Sequence, residues 1–165
     1  MIIIVFGLPG SGKSFFAFHL ANSLNAKYLN TDQVRREMYA NRTYSTKEKM
    51  TGYDVMLEKT REAVEKKIDL VLDGTFYKKT IRRKFQNEVG GKDAIQFIEV
   101  IADENSIRAR LAKPRILSEA DLNIYKKIKN EWEPMREHHL IINSTNENIE
   151  KMMKEAEDYL YRHDK

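Results

Sequence analysis

Gly7-Leu8-Pro9-Gly10-Ser11-Gly12-Lys13-Ser14 follows directly on the apolar run Met1-Ile2-Ile3-Ile4-Val5-Phe6. Six greasy residues that break into a loop with three glycines, and resume as Phe15-Phe16-Ala17, read as a buried strand, a tight loop and a helix. Glycine at those positions lets successive backbone N–H groups turn inward with no Cβ in the way. The helix that starts near Lys13 adds the positive end of its dipole to the same spot.

The spacing fits G-x-x-x-x-G-K-[ST] without a mismatch. At average residue frequencies such a match arises by accident in under about 1% of chains of this length. Gly7, Leu8, Pro9, Gly10, Ser11 and Gly12 form the cradle for a nucleoside triphosphate. Lys13 reaches the β- and γ-phosphates, and the Ser14 hydroxyl is offered to Mg²⁺.

Outward from the loop, short apolar runs recur between helical stretches: Ile2–Phe6, Ala26–Leu29, Leu70–Leu72, Ile95–Ile101 and Leu140–Ile142. Both faces of a parallel strand are covered by crossover helices, which is why such strands read as continuous apolar runs. The helices announce themselves by caps and stripes. Ser45 with Glu48 opens one, with Tyr53, Leu57, Val64 and Ile68 on its buried side. Ser118 with Asp121 opens another, with Leu122, Tyr125, Ile128 and Trp132 on one face, and Glu133-Pro134 closes it. Ser144 with Glu147 opens the last, buried by Ile149, Met153, Ala156 and Leu160. The expectation is an α/β/α sandwich around a five-stranded, mostly parallel sheet.

The totals agree with that picture. The 165 residues suit one compact domain, residues 1–165, and 41% apolar with 33% charged residues is a globular composition. Cysteine is absent, which excludes disulfides, thiol catalysis and thiolate metal sites and fits a reducing cytoplasm. The opening apolar run is too short for a signal peptide, and no stretch approaches a membrane span, so a cytoplasmic protein without a membrane partner is expected. The net charge of +4 favours phosphorylated ligands or nucleic acid, but a Lys/Glu-rich solvated surface produces it equally.

A phosphate loop does not by itself separate kinases from switches and motors. The candidate D-x-x-G segment reads Asp73-Gly74-Thr75-Phe76, and N-K-x-D occurs nowhere, which argues against a G-protein. A ring-forming mechanical ATPase needs a longer chain with a trailing helical domain. Right after the second apolar run comes Tyr28-Leu29-Asn30-Thr31-Asp32-Gln33-Val34-Arg35. Asp32 then lies at a strand's C-terminal end, where α/β folds place their ligands, with Arg35 one helical turn on. An acceptor hydroxyl needs a carboxylate to take its proton, and an acceptor phosphate needs a guanidinium. The plainer reading makes Asp32 a first-turn acid that favours the helix dipole and Arg35 its solvated partner.

With Gly7–Ser14 and Asp32-x-x-Arg35 in hand, the chain resembles the P-loop kinases grouped around polynucleotide 5′-hydroxyl kinases and the "predicted kinase" ATP-binding domains. Shikimate, gluconate and zeta-toxin kinases are more distant relatives. The resemblance implies Asp32 as general base, Arg35 as the arginine that orients the acceptor, and Asp73 as the carboxylate that steadies Mg²⁺ through water. It further implies that residues 33–67 build the acceptor pocket and that about 108–120 form a lid. There Arg110 would sit over the nucleotide and Arg115 would swing onto the transferring phosphoryl group, with Arg108 the spare. Asn143, Ser144 and Thr145 would cup adenine, largely through backbone.

ATP and Mg²⁺ are therefore the expected cofactors, and a small molecule or a 5′-hydroxyl polynucleotide the expected acceptor. A monomer or weak dimer is expected. The alternative is a slow NTPase or switch module with no acceptor. Tyr39, Arg42, Tyr44, Lys47 and Tyr53 could stack on a base or sugar, or simply pack. The basic stretch Lys78–Lys84 reads as a solvated helix face, adjacent His138 and His139 cannot clamp one metal, and Trp132 reads as packing.

Overall fold

The computed structural model describes residues 1–39, 45–91, 93–114 and 121–162. Strands β1 (Ile2–Phe6), β2 (Lys27–Asn30), β3 (Leu70–Gly74), β4 (Ile95–Ile101) and β5 (Leu140–Asn143) form one sheet in the order β2-β3-β1-β4-β5. Every pairing is parallel. The helices are α1 (Lys13–Ser23), α2 (Thr31–Met38), α3 (Thr46–Glu65), α4 (Lys79–Val89), α5 (Glu104–Leu111), α6 (Leu122–Glu131) and α7 (Ile149–Tyr161).

The alternation of side chains along each strand divides the core in two. Ile2, Ile4, Phe6, Leu72 and Phe97 face Met56 of α3 and Ile81 and Phe85 of α4. Ile3, Val5, Val71, Ile98 and Val100 face Phe16 and Leu20 of α1 and Met152 and Ala156 of α7. β1 is central and buried along its length, so the loop at its C-terminal end is held on a rigid post.

Three helix readings need correction. The buried side of α3 runs through Tyr53, Met56, Thr60 and Ala63, while Val64 is exposed and Ile68 lies past the helix end. The spacing from Tyr53 to Val64 is eleven residues, about 20° past three full turns, and the core here follows the neighbouring row. α6 is capped by Asp121, which accepts from the Ile124 N–H, and it stops before Trp132, whose backbone is extended. Trp132 instead stacks on Phe6, ring centres 6.1 Å apart and nearly parallel. Ser118 and Arg115 lie outside the described residues, as do Arg42 and Tyr44. At α7 the preceding residue is Asn148, and Ser144 is drawn away into the phosphate loop. Nor is the stretch from Lys78 to Lys84 wholly solvated. Arg82 is buried and donates to the carbonyls of Phe76 and Glu133.

Candidate active site

The loop between β1 and α1 needs its glycines for two separate reasons. Gly10 and Gly12 have φ of 78° and 91°, in the left-handed region that side-chain-bearing residues avoid. A Cβ on Gly12 would also stand 2.7 Å from the Ser144 hydroxyl, and one on Gly7 only 2.4 Å from the Val100 carbonyl oxygen. The loop is thus pressed between β4 and the β5–α7 connection. Ser144 donates to the Ser11 carbonyl and accepts from Arg110 Nη1 at 3.0 Å, and the same Nη1 donates to the Gly10 carbonyl at 3.1 Å. Arg110 Nε reaches Asn146 at 3.2 Å. Arg110 and Ser144 therefore brace the loop from one side, with Thr145 next in the chain. Arg108 turns outward to Glu104.

On the other side a single cleft collects Lys13 and Ser14, Asp32 and Arg35 of α2, Asp73 and Thr75, Lys49 and Tyr53 of α3, and Ile124 and Ile128 of α6. Asp73, next to the last residue of β3, is fully buried. Its Oδ2 accepts from the Tyr28 hydroxyl and from Asn30 Nδ2, both at 2.6 Å, and its Oδ1 is buried with no hydrogen-bond partner among the described residues. Burial pushes the Asp73 carboxyl above the usual carboxylate range, and Lys13 with the hydrogen bonds pulls it back. Burial and the Asp73 charge push the Tyr28 phenol far up, so it remains a donor. Asn30 Nδ2 also stands 3.4 Å from the Ser14 hydroxyl.

Asn30 is the hinge between the two halves. Its Oδ1 accepts from the N–H groups of Asp32 (2.8 Å) and Gln33 (3.1 Å), capping α2 in the ordinary way. That cap fixes where Asp32 starts its turn. Asp32 and Arg35, 8% and 4% exposed, then form an ion pair on the cleft side of α2. The plain reading holds for Asp32, a first-turn acid of α2, but not for Arg35, which is buried at the cleft rather than solvated.

The far wall is the β3–α4 connection. Phe76 has φ of 41°, a strained conformation for an aromatic residue. It is held there on both sides, its N–H donating to the Tyr53 hydroxyl at 3.0 Å and its carbonyl accepting from Arg82 at 2.7 Å. Tyr53 also meets the Thr75 hydroxyl at 3.3 Å, and its ring packs on Phe76 and Phe85. Tyr53 is thus a post for the loop and its ring is taken up by packing.

Mg²⁺ and a nucleoside triphosphate fit the residues present. The left-handed glycine loop leaves a cradle that a Cβ would fill, and the Asp73 carboxylate lies by the Ser14 hydroxyl with its Oδ1 buried and without a hydrogen-bond partner among the described residues. Hard oxygen ligands of this kind suit Mg²⁺, which keeps several of its waters. Among the described residues no group of three or more His, Asp or Glu forms a separate metal site, and His139 is engaged with Glu99 at 2.9 Å. No helix among them is long and apolar enough to cross a membrane.

Sequence reasoning missed Asn30, Tyr28, Arg82 and Lys49. The signal for Asn30 was present, since Asn before Thr-Asp at a strand end is an N-cap pattern. The others carry no local signature.

Comparison with known proteins places the chain. The AAA domain family matches residues 2–135. No curated protein matches the sequence. Among solved structures, a gluconokinase from Sinorhizobium meliloti superposes with a TM-score of 0.76 at 17% identity, covering 98% of this chain and 91% of that one. A shikimate kinase from Acinetobacter baumannii, in complex with shikimate, gives 0.63 at 14% identity, with 98% and 93% covered. The Mycobacterium tuberculosis APS kinase, in complex with AMPPNP and APS, gives 0.62 at 17% identity, with 96% of each chain covered. The fold is that of the P-loop kinases.

Proposed function

The chain belongs to the AAA domain family, and from that footing and its P-loop kinase fold we propose that it is an ATP-dependent phosphotransferase that moves the γ-phosphate of ATP to an acceptor hydroxyl. The observation that carries this reading is the cleft itself. A phosphate loop alone would serve a switch equally well, but here a buried carboxylate–guanidinium pair, Asp32 with Arg35, shares one cleft with Lys13 and Ser14.

In this reading the backbone from Gly7 to Gly12 binds the polyphosphate, with Leu8, Pro9 and Ser11 shaping the turn. Lys13 neutralises the β- and γ-phosphates. Arg110, Ser144 and Thr145 bound the nucleotide end, where Arg110 already braces the loop. Magnesium, held by Ser14 and through water by Asp73, would supply charge neutralisation for the transferring group. Asp32 accepts the proton of the acceptor hydroxyl as its oxygen bonds to the γ-phosphorus, and the bond to the β-phosphate bridge oxygen breaks to leave ADP. Arg35 holds the acceptor beside Asp32. Residues 33–67 and the β3–α4 connection form the acceptor half, and about 108–120, with Arg115, the lid.

The acceptor is a small molecule or the 5′ end of a nucleic acid. The solved gluconokinase and shikimate kinase with this fold favour the small molecule. A screen of ATP consumption over sugars, sugar acids, nucleosides and 5′-hydroxyl oligonucleotides tests the reading. At least one acceptor should raise ADP release above the rate in water. If none does, the chain is a nucleotide-binding switch or slow NTPase.

A further inference from the structure

Lys49 lies in the acceptor half of the cleft and has no part in the transfer as set out above. It is 7% exposed. Among the described residues its ammonium has no hydrogen-bond or ion-pair partner, and it stands 5.4 Å from the centre of the Tyr77 ring. Burying an ammonium without a counter-charge costs more than one cation–π contact returns. The surroundings add to that cost. Burial pushes the Lys49 pKa down, Lys127 of α6 and Arg35 of α2 push it further, and Glu131 and Asp32 offset this only in part. Soluble folds rarely keep such a group unless something outside the chain completes it.

The placement is specific. Lys49 shares one face of α3 with Gly52 and Tyr53, at i, i+3 and i+4, and that face lines the cleft opposite Ile124 and Ile128. Gly52 gives the face its depth, because a Cβ there would stand 3.2 Å from Arg35 Cγ. Lys13 belongs to the polyphosphate, and Arg35 carries Asp32 beside it. Among the described residues no carboxylate pairs with Lys49, which leaves that place in the cleft to a charge on the acceptor.

We propose that Lys49 is a specificity-determining residue that pairs with a carboxylate or phosphate on the acceptor, so that the acceptor is a small anionic alcohol. This rests on the kinase reading for the hydroxyl, but the anion site stands or falls by binding alone. A carboxylate or phosphate held by Lys49, with the Arg35 guanidinium close by, would set a neighbouring hydroxyl against Asp32. Tyr77 then serves to hold the lysine chain in the cleft.

The test uses matched pairs: glycerate and glycerol, gluconate and glucitol, thymidine 3′-monophosphate and thymidine. Each is titrated calorimetrically into protein saturated with AMPPNP, for the native chain, Lys49→Met and Lys49→Arg. At least one acid should bind about tenfold or more tighter than its neutral twin, as a charge-assisted pair in a dry site gives. Lys49→Met should reduce that preference to about threefold or less, and Lys49→Arg should keep it. Whether the favoured acid is a carboxylate or the phosphate identifies the group. A panel in which no acid is favoured, complete silence included, overturns the proposal, and so does a preference that survives Lys49→Met. ADP release read alongside separates the two ideas. An acid that binds through Lys49 but yields no ADP supports the anion site and defeats the kinase reading. Neutral compounds that bind and release ADP as readily as their acids do the reverse.

Discussion

The two halves of the cleft, which we assign to nucleotide and to acceptor, are built on different principles. The first is one contiguous stretch, Gly7–Ser14, whose shape is set by glycines pressed against Val100 and Ser144 and which, in the reading proposed above, would hold phosphate mostly through backbone N–H groups. The second is assembled from α2, α3, α6 and the β3–α4 connection, and its groups are side chains held by other side chains. A backbone cradle tolerates variation in most of its side chains, whereas an assembled pocket changes its ligand with every substitution. Asn30, bonded to Asp73 on one side and capping α2 on the other, ties the halves together.

The largest effect that probes this division is expected at Asp32, the proposed base. Asp32→Asn keeps the shape of the residue but cannot take a proton, so acceptor-dependent turnover should fall by about 10²–10⁴-fold. Single-turnover transfer with saturating ATP measures it. Lys13→Ala comes next. Removing a charge aimed at the transferring group should cost about 10²–10³-fold in kcat and also weaken nucleotide binding, once circular dichroism shows the variant folded. Arg35→Ala acts on the acceptor. Loss of a charge-assisted contact predicts an acceptor KM raised about tenfold or more, with a smaller change for a neutral acceptor.

How much of this was legible in the sequence follows from the same contrast. The strands read true because a buried parallel strand is a run of apolar residues with nothing else to explain it; Ile2–Phe6 and Ile95–Ile101 were found to the residue. The strand, loop and helix around Gly7–Ser14 read true because the glycines, Lys13 and Ser14 that mark such a loop fall within eight consecutive residues. Arg82 did not, because one basic residue in Lys78–Lys84 looks like the next, and only the fold of the Phe76 turn creates two carbonyls for it to satisfy. Ser144 was misplaced for a related reason. A serine three residues before an acid looks like a cap, and the competing partner, the Ser11 carbonyl, is 133 residues away in sequence.

Two smaller effects sharpen the comparison. Arg82→Met leaves the Phe76 and Glu133 carbonyls without their donor and should cost about 1–3 kcal/mol, measured by urea unfolding. The strained turn at Phe76 should then relax and raise the acceptor KM, while the phosphate loop has no contact with this arginine. The smallest effect is a pH dependence at His139, outside the residues that line the cleft. The hydrogen bond to Glu99 raises the pKa of His139 above its ordinary 6.5, against partial desolvation. A raised folded-state pKa means the contribution is fully present below the unfolded value and is lost as pH rises through the folded one. Stability should thus decline slightly on the alkaline side of pH 6.5, and His139→Gln should flatten that part of the profile.

The separation of the two halves is tested most directly by calorimetric titration of AMPPNP with Mg²⁺ into the native protein and into folded Asp32→Asn and Lys13→Ala. The division described here predicts that Asp32→Asn binds AMPPNP about as tightly as the native chain while Lys13→Ala binds it markedly more weakly. An Asp32→Asn variant that is folded yet has lost AMPPNP as fully as Lys13→Ala would put Asp32 in the nucleotide or metal site, and the base would have to be sought elsewhere, beginning with Asp73.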